Sequence, residues 1–92
     1  MMYAKKIKME QWSTTPYYPR DIAEVYVDGC DNPGFYPKAT LHNYLKDHPH
    51  SIRVDIAPCP YIVPATSVNG EKYVRSEPND TTNDNLLKLP RV

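Results

Sequence analysis

PKATLHNYLKDHPHSIRVDI, residues 37–56, changes its hydrophobic period partway along. Before Pro49, Leu41, Tyr44, Leu45 and His48 fall at i, i+3, i+4 and i+7, the stripe of an amphipathic helix. After it, Ile52, Val54 and Ile56 alternate with Arg53 and Asp55, the pattern of a strand with one buried face. Pro37 suits a first helical turn, where its missing N–H is no loss. Pro49 pushes the residue before it out of the helical region. The spacing predicts a helix over residues 37–47 and a strand over 51–56. The helix should turn Leu41, Tyr44 and Leu45 to the core and His42 to solvent. A helix and a strand joined through a single proline point to an α+β fold.

Downstream, two strand-like runs, 61–68 and 71–76, flank Asn69-Gly70. Asn-Gly favours a two-residue type I′ turn, which needs positive φ at both positions. That turn sets Ser67 opposite Lys72, Ala65 opposite Val74 and Pro64 opposite Arg75. Pro64 has no N–H for a ladder, so its strand should be bulged or at an edge. Ala57-Pro58-Cys59-Pro60 forms a rigid break, and either X-Pro bond there can be cis. Upstream, residues 3–10 place Tyr3, Ile7 and Met9 on one face and Lys6, Lys8 and Glu10 on the other. Residues 22–28 align Ala23, Val25 and Val27. These two strands should pair antiparallel across a long connection, because Pro16 and Pro19 exclude a tight turn between them. Asp28 to Gly34 is rich in turn residues. The resulting order is ββαββ. It predicts one two-layer α+β domain over residues 1–92, with an antiparallel sheet of about four to five strands against one helix.

The last stretch, residues 77–92, is read as a structural clasp. Thr81 and Asp84 have the spacing of a capping pair, with Asp in place of the usual Glu or Gln. Leu86, Leu87 and Leu89 then offer apolar area that so short a chain needs, before Pro90 ends the turn. The run Tyr73-Val74-Arg75, then Asp80-Thr81-Thr82-Asn83-Asp84-Asn85-Leu86, then Leu89-Pro90, resembles a family of small bacterial and phage proteins carrying a domain of unknown function. Gly34-Phe35-Tyr36 and Lys38 fit the same pattern more loosely. The resemblance is specific over the tail and implies one compact domain in a bacterial or phage cytoplasm. It implies no catalytic residue.

Composition narrows the function classes. The 92 residues include ten prolines and eight tyrosines and carry zero formal net charge. A nucleic-acid module usually has a basic excess, because phosphate contacts supply much of its affinity. Zero charge therefore disfavours nucleic acid, although the first twenty residues are locally positive. The start has no apolar stretch behind its lysines, so no secretory signal is expected. No apolar run approaches the length of a membrane span. A cytoplasmic protein with two reduced thiols, Cys30 and Cys59, monomeric or weakly dimeric, follows.

Metal binding is not expected. His42, His48 and His50 lack the paired spacing of a zinc site, and the two cysteines are single. No catalytic residue and no cofactor are expected either: Cys59 could draw on His48 or His50 as a base, but nothing around it matches a cysteine-protease signature. The best candidate surface is the loop holding Trp12, Tyr17, Tyr18 and Arg20. Trp, Tyr and Arg dominate protein interfaces, and prolines stiffen this loop. A protein partner is the reading that follows. The alternative is a single-stranded nucleic-acid binder built on Arg53, Tyr73 and Arg75.

Overall fold

A computed structural model describes residues 2–12, 17–77 and 84–92. Its elements are β1 (Met2–Met9), a 3-10 turn (Pro19–Asp21), β2 (Ile22–Asp28), β3 (Gly34–Pro37), α1 (Lys38–Asp47), β4 (Ile52–Val54), β5 (Ile62–Thr66), β6 (Lys72–Ser76) and a second 3-10 turn (Asn85–Lys88). The class is α+β. Four strands form one sheet in the order β3-β2-β1-β4, and β5 and β6 form a second, separate sheet.

The larger sheet is mixed rather than antiparallel throughout. β1 pairs antiparallel with β2 and parallel with β4. β3 is a strand that the turn-rich composition of its approach conceals. Four residues are too few to show an alternation, yet Tyr26 faces Phe35 and Val25 faces Tyr36 across it.

Two bulges rearrange the faces predicted for β1 and β2. The register runs Ala4↔Val27 and then Lys6↔Tyr26, so Lys5 is the extra residue. Ala4 and Ile7 both become fully buried although they are three apart. Tyr3 therefore lies on the face opposite Ile7, not with it. Ala23 is the second extra residue, between Met9↔Ile22 and Lys8↔Glu24. It is half-buried, and Ile22 takes its place in the core with Val25 and Val27.

α1 begins one residue after Pro37 and ends at Asp47, with the His48 N–H donating to the Tyr44 carbonyl at 2.9 Å. Its buried face is Leu41, His42 and Leu45. His42 is buried, contrary to the stripe, and Tyr44 is 38% exposed. The reason is what the helix packs on: its most extensive contacts are with β6 and β5, not with the larger sheet. The stripe is rotated toward that hairpin, and His42 reaches the Tyr73 carbonyl at 3.0 Å. A carbonyl only accepts, so Nδ1 carries the proton. β4 stops at Val54, and Ile56 packs against the core from outside the strand. Ala57–Pro58 is the cis bond.

The hairpin register is shifted by one from the Asn-Gly expectation. Ala65 faces Tyr73 and Pro64 faces Val74. The loop holds three residues, Val68, Asn69 and Gly70, closed by Ser67 N–H to the Glu71 carbonyl at 2.9 Å. Gly70 N–H donates to the Ser67 carbonyl at 2.9 Å, and Gly70 alone in the loop has positive φ, +83°. This is a type I turn followed by a left-handed glycine, the usual three-residue solution. An added Cβ at Gly70 would meet nothing within 4 Å, so substitution there is opposed by backbone conformation alone. Gly70→Ala is expected to cost about 1–2 kcal/mol. Asn69→Ala should stay within about 0.5 kcal/mol. Urea midpoints of the two variants check this; equal losses would instead indicate a type I′ turn.

The C-terminal segment completes the sheet and the core. Along β1, β4 reaches only Met2–Ala4, which leaves the same edge of β1 open from Ile7 onward. Ile7 N–H donates to the Pro90 carbonyl at 2.9 Å, and Val92 N–H donates to the Ile7 carbonyl at 3.1 Å. Leu86, Leu87 and Leu89 join the core cluster. Asp84 is fully buried and caps the 3-10 turn, accepting from Leu86 N–H at 2.8 Å. Thr81, its expected capping partner, lies outside the described residues.

Candidate functional site

Trp12 follows β1 and is the most exposed aromatic of the described residues, at 61%. Its Nε1–H donates to Glu10 Oε2 at 2.9 Å, which fixes the ring's edge and leaves its faces open. It lines a groove of about 580 Å³ with Arg20, Val68, Asn69, Glu71 and Tyr73. Val68, at the tip of the β5–β6 loop, is fully exposed. Lys38 joins two of the lining residues: its ammonium donates to the Arg20 carbonyl at 2.8 Å and pairs with Glu71.

The four residues of the predicted protein-contact loop divide into two kinds. Trp12 and Arg20 are exposed. Tyr17 packs against the core, with the Arg91 guanidinium 4.7 Å from its ring centre. Tyr18 is half-buried beneath the Arg20 guanidinium at 4.4 Å. Tyr18 N–H donates to Asp21 Oδ2 at 2.9 Å, and Glu10 N–H donates to the Asp21 carbonyl at 2.8 Å. These bonds hold the loop's exit on the buried Asp21 and present Arg20 outward.

Arg53, Tyr73 and Arg75 are not one surface. Arg53 lies on β4 in the larger sheet, while Tyr73 and Arg75 lie on β6 in the smaller. Tyr73 is 5% exposed, so its ring offers no open stacking face. Arg53 stacks over Tyr61 at 4.5 Å and donates to its hydroxyl at 2.7 Å. That hydrogen bond, and then the electrostatic attraction of the Tyr61 oxygen, raise the guanidinium pKa.

The three histidines lie in different settings. His42 is held inside on the Tyr73 carbonyl. His48 stacks on Tyr44 with ring centres 4.4 Å apart. His50 lies over Tyr61 with Nε2 3.6 Å from Glu77 Oε2. Among the described residues no group of three or more His, Cys, Asp or Glu side chains could hold a metal. Cys30 borders a cleft of about 290 Å³ with Tyr36, Tyr44 and Leu41. Burial there, and then the neighbouring Cys30, push the Tyr36 hydroxyl pKa up. Among the described residues no helix is long and apolar enough to cross a membrane.

The outward face of the larger sheet carries a set that residue spacing alone does not assemble. Ile7, Val25, Val27, Ile52 and Val54 take the inward positions. Lys6, Lys8, Glu24, Tyr26, Asp28, Phe35 and Arg53 are therefore left facing out. Phe35, Tyr26 and Lys6 stand in one row across three strands. Tyr26 and Phe35 meet edge to face at 5.2 Å. The Lys6 ammonium lies 5.4 Å from the Tyr26 ring centre, and that of Lys8 lies 4.5 Å from Phe35. Lys5, at the bulge, pairs with Asp55 at 3.0 Å, and that bond raises its pKa.

A family model described as "Protein of unknown function (DUF3892)" matches residues 19–90. No curated protein and no solved structure matches the chain.

Proposed function

The chain belongs to the DUF3892 family of proteins of unknown function, and from that premise we propose that it is a non-enzymatic binding or accessory module for another protein in a bacterial or phage cytoplasm. The observation that carries this reading is Trp12. A tryptophan exposed at 61% loses most of the stabilisation its burial would bring, about 1.5–3 kcal/mol for a large apolar side chain. Here it borders a groove whose other walls include Arg20, the apolar tip residue Val68 and the polar Asn69. An exposed aromatic beside an arginine, ringed by polar groups, has the anatomy of an interface hot spot. Its tether to Glu10 reduces the entropy lost on docking. Tyr17 and Tyr18 serve this surface as supports, since each ring sits under an arginine rather than in the open.

The test compares proteins captured by the tagged chain with those captured by Trp12→Ala/Arg20→Ala. Tyr17 stays in place because it packs on the core. The variant should keep its melting temperature, since substitutions at such exposed sites cost within about 0.5 kcal/mol each, and should lose the captured partner. Unchanged capture by a normally melting variant would refute the role of this groove.

A further inference from the structure

The outward face of the four-stranded sheet is a second surface, separate in chemistry from the Trp12 groove. Tyr26 on β2 and Phe35 on β3 stand side by side, and Lys6 and Lys8 lie beside them on β1, on strands about 4.8 Å apart. Tyr26 and Phe35 are half-buried on this face, and Lys6 is exposed. The lysines there are not committed to carboxylates. Lys8 stands in register with Glu24, yet its ammonium lies over Phe35 on the next strand but one. Among the described residues neither Lys6 nor Lys8 forms an ion pair, whereas Lys5, one bulge away, is bound to Asp55. Lysines resting over aromatic faces are held only by about 0.5–1 kcal/mol each at exposed sites. They can swing to an anion and uncover the ring beneath.

We infer that this face, through Tyr26, Phe35, Lys6 and Lys8, binds single-stranded nucleic acid, with bases stacking on the two rings and phosphates taken by the two lysines. Rings beside cations distinguish this occupant from an acidic protein segment, which would engage the lysines and leave the rings unused. Stacking needs unpaired bases, so a duplex offers this face only its phosphates. With zero net charge over the whole chain, binding should lean on stacking and carry a shallow salt dependence. Two phosphates neutralised on a single strand give a slope of about −1.4.

The experiment is a fluorescence-anisotropy titration of labelled oligothymidylate and oligouridylate of about 12 nucleotides, at about 50 mM and about 200 mM salt. The full chain should bind at least one of them with that slope. Tyr26→Leu and Phe35→Leu, which keep apolar bulk and remove the stacking ring, should each weaken binding about tenfold. Lys6→Gln/Lys8→Gln should flatten the salt dependence. Trp12→Ala/Arg20→Ala should bind as the parent does, which separates this surface from the groove. Several results would overturn the inference. They are no binding at the lower salt by a normally melting chain, equal affinity in the leucine variants, equal affinity for a duplex or for polyglutamate, and loss of binding in the Trp12/Arg20 variant.

Discussion

A chain ending at Asn79 is expected to lose its cooperative thermal transition. The deletion removes Leu86, Leu87 and Leu89, each at most 5% exposed, and each stabilises by about 1.5–3 kcal/mol when fully buried. That sum is comparable with the whole margin of a small domain, about 5–15 kcal/mol. The edge of β1 suffers as well. Ile7 loses both the Pro90 carbonyl and the Val92 N–H, and β4 is too short to replace them because it reaches only Ala4. The fully buried core residues Ala4, Ile7 and Val54 would then stand at an open seam. Circular dichroism of the truncated chain should show no sigmoidal melt. A transition at the full-length midpoint would show that the tail is an ornament. A single substitution reads the same contact more gently: Leu86→Ala should cost about 2–5 kcal/mol.

The parts of this fold that were legible in the sequence are those set by local chemistry. The helix bounds follow from Pro37 and Pro49, and the strand at Ile52 from alternation. The burial of the tail leucines follows from the shortage of apolar area in a small chain. What the sequence hid depends on partners. Both bulges break the period of two by one residue, so Tyr3 and Ala23 read as core while Ala4 and Ile22 took those places. The Asn-Gly dipeptide marked the turn but not its length, since Ser67 rather than Val68 closes it. His42 looked solvent-facing because it falls off the Leu41/Tyr44/Leu45 stripe, and spacing alone does not say which strands a helix lies on. α1 turns instead toward the hairpin, where the Tyr73 carbonyl waits for a donor. Of the candidate site, Trp12 and Arg20 were readable from residue type. The row Phe35–Tyr26–Lys6 was not, because it requires β3, whose residues read as the end of a turn, a lead into the helix and the helix's first residue. The alternation of Lys6 and Lys8 was visible, but only as a polar face. Register is what sets the Tyr26 and Phe35 rings beside it.

Asp84→Ala should be the most damaging single polar substitution. Asp84 is fully buried and gathers donors from two elements. Ser76 N–H reaches Oδ2 at 3.1 Å, Ser76 Oγ donates to Oδ1 at 2.5 Å, and Leu86 N–H donates to Oδ1 at 2.8 Å. The carboxylate thus ties the end of β6 to the start of the tail's 3-10 turn. It accepts charge-assisted bonds, which are about twice as strong as neutral ones. Alanine would strand two buried backbone N–H groups, each costing about 1–3 kcal/mol when left without an acceptor. A loss of about 3–5 kcal/mol is expected, equivalent to a fall in melting temperature of well over about 10 °C. Asp84→Asn tests the acceptor itself. Its shape is the same, but one oxygen becomes an NH₂ group that would face another donor. It should therefore recover only part of the loss. Ser76→Ala removes a single hydroxyl and leaves the backbone bonds in place, so it should cost about 1 kcal/mol. Thermal melts of the three variants separate the contributions. If Ser76→Ala were as costly as Asp84→Ala, the hydroxyl and not the two backbone amides would hold the joint. If Asp84→Asn melted with the parent, the carboxylate's charge would have no part in it.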